Sequence, residues 1–315
     1  MPHGWIILDK PLGLGSTQAV AAVKRNLRAA GYGKVKVGHG GTLDPLATGV
    51  LPIALGEATK LAGRMLDASK VYAFTVAFGA ETETLDLEGK VIEQSAVRPT
   101  LTQVEAVLTS FTGLIEQVPP TYSALMIDGK RAYDRARAGE VVEMPTRSVT
   151  VYSLQTLRDP GDGSTPRGWD DELLDEIELV AHVSKGTYIR SLARDIAREL
   201  GTVGHVTMLR RLRAGPFGLD HAISLDKLNA IGQGAALENV ILPLEAGLDD
   251  IPALDLGPEQ ARAARQGRVL TGLAFQDGVY WARCGTTPLA LLEISGGNAR
   301  VLRGFNLSDV AEHLQ

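Results

Sequence analysis

Short apolar runs, period-two alternations and stripes of period 3.6 follow one another along the chain, the pattern of a mixed α/β protein. "GWIILDK", residues 4–10, reads as an apolar strand ended by Pro11. Behind it Ser16 is a candidate helix N-cap, Val20, Val23 and Leu27 form one stripe, and Gly31 supplies the stop. "EATKLAGRMLDA" predicts a helix that feeds the strand "VYAFTVAFG", closed by Gly79. The next helix is predicted from a capping box, Thr102-x-x-Glu105, with Val104, Val107, Leu108 and Phe111 on one face and Gly113 past its end. "IELVAHV" alternates like a half-buried strand. In "YIRSLARDIAREL", Ile189, Leu192, Ala193, Ile196 and Leu200 share one helix face, while Arg190, Arg194 and Arg198 share another.

From about residue 250 the pattern changes to short strand-like runs separated by "DG", "GTT" and "SGGN" turns. Residues 1–248 are therefore expected to form one mixed domain and residues 249–315 a small β-rich one. No window reaches the roughly 18 uninterrupted apolar residues that a bilayer span requires, and no basic segment precedes an apolar run at the N-terminus. A cytoplasmic protein without membrane contact is expected. The single cysteine, Cys284, excludes an internal disulfide framework and a thiolate zinc cluster.

Charge modifies this picture because it is uneven. The net charge of the 315 residues is -5, but residues 159–178 hold eight acids against the single base Arg167, a charge of -7 that leaves the remainder at +2. That acidic run, about residues 159–176, reads as an exposed loop inserted between ordered pieces. Bases gather at Lys24, Arg25 and Arg28, at Lys34 and Lys36, at Lys130, Arg131, Arg135 and Arg137, at Arg190, Arg194 and Arg198, and at Arg210, Arg211 and Arg213. Any one such cluster is ordinarily a solvated face; five of them suggest a surface that follows phosphates.

One carboxylate has an unusual setting. Asp44 lies in "GHGGTLDPLATGVLPIALGEATK", with almost no other charge nearby. Asp followed by Pro is a standard helix start, and "DPLATG" then predicts one helical turn stopped by Gly49. A cap does not explain Gly38, Gly40 and Gly41, which let another backbone approach closely. His39 with Asp44 is too small a ligand set for a metal site, which needs a third ligand at a recognisable spacing.

The segments "GWIILDKPLGLGST", "KVGHGGTLDPLATGVLPIALGEATK", "SKVYAFTV" and "SKGTYIRSLARDI", in that order, together resemble the bacterial TruB family of tRNA pseudouridine synthases. The resemblance covers roughly residues 3–248, with a looser likeness of the C-terminal part to a PUA-like appendage. It implies a central, mainly antiparallel sheet with flanking helices, an α/β (α+β) pseudouridine synthase fold. It also implies modification of the uridine at position 55 of the tRNA T-loop, with the T-arm stem-loop as partner, no cofactor, no metal and a monomeric enzyme. By resemblance Asp44 is the catalytic aspartate, Arg190 its cationic partner and Tyr72 the aromatic that lies against the target base and takes its proton. Tyr188 and Leu209 line the base pocket, and His39 occupies the space of flipped nucleotides. A thumb-like loop of about 121–147, with "MIDGKRAYDRARAGEVVEMP" at its centre, brings Lys130, Arg131 and Arg135 to phosphates, and Lys60 joins them. "ETETLD" departs from the family pattern, with Glu83 where an aspartate is usual.

Three classes of function fit these residues: a catalytic pseudouridine synthase, a tRNA-folding assistant with incidental catalysis, and a glycosidase-like enzyme pairing Asp44 with a second carboxylate such as Asp86. The first is expected. Isomerising uridine is redox-neutral and transfers no external group, so it requires a carboxylate, a group that moves the C5 proton and a pocket for an extruded base.

Overall fold

A computed structural model describes residues 1–157, 172–232 and 237–307. The central part of the acidic run, residues 158–171, lies outside the described residues. The chain divides into two compact units, one of Asp44–Gly49 with Asp67–Ala214, the other of Met1–Leu43, Val50–Leu66 and Gly215–Gln315. The division falls inside the strand Ala47–Leu55. Residues beyond 249 share a unit with the N-terminal segment.

In the first unit the strands run in the order Ala47–Gly49, Gly204–Ala214, Lys70–Phe78, Glu176–Val183, Arg147–Thr156 and Gly113–Gln117. The pairing of Leu209 with Ala47 is parallel; the other ladders are antiparallel. Alternation along these strands sends Phe74, Val76, Phe78, Ile177, Leu179, Ala181 and Val183 to one face. There they meet Val104 and Leu108 of the helix Leu101–Leu108, and Leu192, Ala193 and Ile196 of the helix Ile189–Glu199. Full burial of each such large apolar side chain stabilises by about 1.5–3 kcal/mol, which fixes both helices on the sheet.

The first of these helices begins earlier than the expected box. Thr100, not Thr102, is its N-cap; Gln103 N donates to the Thr100 hydroxyl at 3.3 Å, and Gln103 Oε1 accepts from Thr100 N at 2.9 Å. The residues of the Thr102–Glu105 box thus fall inside the helix. A second correction concerns Asp44. No helix follows it: Ala47 N donates to Asp44 O at 3.0 Å, closing a single turn, and the chain enters the strand Ala47–Leu55 directly. Gly49 explains why "ATG" is a strand and not a helix stop. It has φ +98, and a Cβ there would lie 2.2 Å from Arg211 O, so the adjacent strand packs against bare backbone.

The other unit contains the strand Gly4–Lys10, parallel to Ile223–Ser224, and the strand Val37–His39, antiparallel to Ile53–Leu55. Its helix Ser16–Ala29 is capped by Gly15, so Ser16 is the first helical residue. The buried Ser16 hydroxyl instead accepts from Leu43 N at 2.8 Å and donates to Leu43 O at 2.9 Å, which removes it from capping. A separate four-stranded sheet runs in the order Ala253–Asp255, Gly278–Cys284, Thr287–Ser295 and Asn298–Gly304, with Ala261 and Ala264 of the helix Pro258–Arg265 in its core. Among the described residues no helix is long and apolar enough to cross a membrane.

Candidate active site

Asp44 sits on the turn that opens the Ala47–Leu55 strand, and Arg190 on the first turn of the Ile189–Glu199 helix. Arg190 Nη2 lies 3.0 Å from Asp44 Oδ2. The guanidinium is buried, with only 8% of its side chain exposed, whereas 45% of the Asp44 side chain is exposed. Arg190 shares a helix face with Arg194 and Arg198 but is buried where they are half-buried and exposed, so the three do not form one solvated row. Those two are also engaged: Arg194 Nε lies 2.7 Å from Asp195 Oδ1, and Arg198 Nη2 2.7 Å from Glu81 Oε1.

Arg190 does not serve Asp44 alone. Nη1 reaches Asp86 Oδ2 at 3.2 Å and donates to Thr84 O at 2.8 Å, while Nη2 donates to Tyr122 O at 3.1 Å. Asp86 is held in turn, its Oδ1 accepting from Thr84 Oγ1 at 2.5 Å and from Glu88 N at 3.0 Å. The loop that presents it turns at Leu85, a buried residue with φ 63. A left-handed non-glycine conformation costs about 1–2 kcal/mol. Leu85 N donates to Thr82 O and Leu85 O accepts from Val206 N, both at 3.0 Å, and these bonds hold the turn in place.

Asp44, Asp86 and Arg190 line an open pocket with Leu46, Ala47, Val206, Thr207 and Leu209. Leu209 reaches this wall because its strand pairs with both Ala47 and Phe74. Tyr72, two residues before Phe74, packs with Leu209 against the same apolar cluster, but it is not among the pocket-lining residues. Tyr188 precedes the Arg190 helix as its N-cap residue. Gln117, itself buried, fixes it from both sides: Gln117 Oε1 accepts from Tyr188 N at 2.8 Å and Nε2 donates to Tyr188 O at 3.1 Å. Burial pushes the Tyr188 phenol above its ordinary pKa, an effect opposed by the Ser123 hydroxyl and by Arg147, whose guanidinium lies 5.9 Å from the ring centroid.

The remaining expected site residues are placed elsewhere. His39 and Lys60 belong to the other unit. His39 Nδ1 accepts from Gly41 N at 3.4 Å, and Lys60 Nζ donates to Glu57 Oε2 at 2.6 Å and to Gly304 O at 2.8 Å. Gly40 serves internal packing: a Cβ there would lie 2.5 Å from Met65 Cβ. In the thumb-like segment Met126–Ile127 and Lys130–Arg131 form a hairpin closed by Asp128 and Gly129, both at positive φ, and the short helix Ala132–Arg137 follows. Lys130 and Arg131 are exposed, the latter 5.8 Å from the Tyr133 ring centroid; Arg135 is held by Glu140 at 2.7 Å and Asp128 at 3.1 Å.

The TruB family pseudouridylate synthase N-terminal domain matches residues 25–189, and the tRNA pseudouridylate synthase B C-terminal domain matches residues 190–249. The chain belongs to the TruB family. It is 72% identical to the tRNA pseudouridine synthase B of Novosphingobium aromaticivorans, over 99% of this chain and all of that protein, and 59% identical to that of Zymomonas mobilis, over 96% of each. Two solved structures share the fold at 24% identity. One is described as an H/ACA RNP bound to a substrate RNA containing 2′-deoxyuridine (TM-score 0.70) and the other as a Cbf5-Nop10-Gar1 complex (TM-score 0.71); each covers 98% of this chain and 86% of the matched chain. In this TruB chain the boundary between the two matched segments falls at Arg190, so its ion pair with Asp44 joins one segment to the other.

Two residues of this arrangement have no decisive mark in the sequence: Asp86 reads there only as a second acid, and Gln117 as an ordinary polar residue. The departure at Glu83 drew attention to the right loop, but to a neighbour of the residue that faces Arg190. Gln117 had no sequence mark, because its partner is a backbone 71 residues away.

Proposed function

We propose that this chain isomerises uridine to pseudouridine at position 55 of the tRNA T-loop, acting as a monomer in the cytoplasm on the T-arm stem-loop and without a cofactor or metal. The observation that carries this reading is a half-exposed carboxylate, Asp44, clamped at a pocket wall by the buried Arg190. The names of the full-length relatives support the same substrate class.

The reaction breaks the N1–C1′ bond, turns the base and forms a C5–C1′ bond; a proton leaves C5 and one is gained at N1. Asp44 is the nucleophile, acting on the sugar C1′ or the uracil ring. The Arg190 guanidinium, 3.0 Å away, supplies the fixed positive charge that a carboxylate covered by RNA requires. Tyr72 moves the C5 proton, Tyr188 and Leu209 bound the base pocket, and His39 fills the space left by flipped nucleotides. Lys130, Arg131 and Arg135 of the thumb, with Lys60, contact phosphates. Residues 1–248 act as the catalytic domain and 249–315 as a PUA-like appendage. The glycosidase reading loses support at Asp86, whose carboxylate is held by Arg190, Thr84 and the Glu88 amide with 10% of its side chain exposed. That chemistry requires a second carboxyl group that exchanges a proton at the scissile bond.

The test is to incubate the chain with unmodified tRNA transcript and map pseudouridine by carbodiimide-stop primer extension. A single new stop at position 55 is expected. No stop, or stops scattered over other uridines, contradicts the proposal.

A further inference from the structure

A minority of the described basic side chains face a carboxylate. Lys60, Arg64, Arg98, Arg135, Lys185, Arg190, Arg194, Arg198, Arg283 and Arg300 each lie within salt-bridge distance of an Asp or Glu. One stretch gathers several that do not. Between Asp9 and Asp44 the chain has six Lys or Arg residues and no Asp or Glu. Five of them, Lys24, Arg25, Arg28, Lys34 and Lys36, are exposed and have no ion pair among the described residues. The nearby Glu238 carboxylate is taken up by the Tyr32 hydroxyl.

Local structure gathers three of these cations. Lys24 and Arg28 are one turn apart on the helix Ser16–Ala29. The helix ends with Gly31 at φ +83, where Gly31 N donates to Arg28 O and Tyr32 N to Leu27 O, both at 3.0 Å. The chain thereby turns back, and Lys24, Leu27, Arg28, Gly33, Lys34 and Val35 line one open pocket. A purely structural role accounts for only part of this. A cation in the last turn complements the helix dipole, which suits Arg28 but not Lys34, a residue outside the helix. Like charges at i and i+4 destabilise a helix, so the pairing of Lys24 with Arg28 is unfavourable until an anion enters.

We infer that this pocket is an additional RNA-backbone contact, in which Lys24, Arg28 and Lys34 take phosphate groups of the tRNA substrate without reading its sequence. The inference rests on the tRNA reading above. The lining offers cations and aliphatic surface but no aromatic ring for stacking and no amide side chain for a base edge.

The experiment measures Kd for unmodified tRNA by filter binding over a range of KCl, and single-turnover conversion at saturating protein. It compares wild type, the triple variant Lys24→Gln/Arg28→Gln/Lys34→Gln, and a control, Lys90→Gln/Lys227→Gln, which removes exposed cations elsewhere. Each phosphate contact contributes roughly 0.7–0.9 to the slope of log Kd against log salt. The triple variant is expected to lose about two units of slope and to keep its saturating rate and thermal midpoint, with the control near wild type. A wild-type slope in the triple variant, or an equal loss in the control, overturns the inference. So does a triple variant slowed at saturation, which would assign these residues to chemistry. A wild-type chain that neither binds nor converts tRNA refutes the enzymatic reading itself; conversion with an unaltered variant slope refutes only the pocket.

Discussion

Arg190 is surrounded by acceptors, and their number determines what can replace it. Two carboxylates and two backbone carbonyls occupy its guanidinium, and the side chain is 8% exposed. A lysine is a point charge on a flexible stem and cannot match that fork. Arg190→Lys is therefore expected to cut single-turnover conversion by about a hundredfold or more and to lower the thermal midpoint, because it leaves the buried Asp86 poorly paired. Asp86→Asn is a gentler change. The amide oxygen still accepts from Thr84 and the Glu88 amide, but the amide nitrogen then faces Arg190 Nη1, so the charge and the hydrogen bond to Arg190 are both lost. Turnover should fall roughly tenfold, about 1.4 kcal/mol of lost positioning, with tRNA affinity unchanged in filter binding. Unaltered turnover would make Asp86 purely structural. At this scale Asp44 was legible because it stood alone among glycines, whereas Asp86 stood among other acids and is singled out only by the Leu85 turn.

Elements were legible where one periodicity dominated. The strands Gly4–Lys10 and Glu176–Val183 and the helix Ile189–Glu199 follow the predicted runs closely. Caps were not: Ser16 and Thr102 both have the right chemistry, but Leu43 engages one hydroxyl and Thr100 with Gln103 displaces the other's box. The predicted turn of helix at Asp44 gave way to a strand, because pairing with Leu209–Arg211 lies more than 150 residues away and leaves no local trace. The strand Lys70–Phe78 also holds a charge that a strand-end lysine would not be expected to bury. Burial, and then the neighbouring Arg211, lower the Lys70 amine from 10.5 to about 8. Between about pH 8 and 10.5 the unfolded chain binds more protons here than the folded one, so this residue's contribution to stability rises with pH across that window. Lys70→Met should therefore gain most on wild type below pH 8, and that gain should shrink by roughly 3 kcal/mol toward pH 10.5. Urea melts of both proteins across the window check this; a pH-independent difference contradicts it.

Across the whole molecule, net charge conceals the partner. The chain is at -5, yet the family to which it belongs and its unpaired cations both indicate RNA. Affinity for tRNA should fall steeply with salt, and Lys130→Ala with Arg131→Ala should flatten the slope, because neither cation has a carboxylate partner among the described residues. Arg135→Ala should flatten it less, since Asp128 and Glu140 already hold that guanidinium. Parallel slopes for all three proteins would remove the thumb from phosphate binding. Sheet order, unit composition and the two-carboxylate environment of Arg190 lie beyond local pattern, because each depends on contacts between distant residues. The central claim remains that Asp44 breaks bonds and does not simply hold the site together. Asp44→Asn keeps the size of the side chain and leaves Arg190 paired with Asp86, so folding and docking should survive. The decisive measurement is single-turnover pseudouridine formation by Asp44→Asn on unmodified tRNA, at protein concentrations above the dissociation constant. No product is expected, together with wild-type tRNA affinity and thermal midpoint; appreciable product would contradict the assignment of Asp44 as the nucleophile.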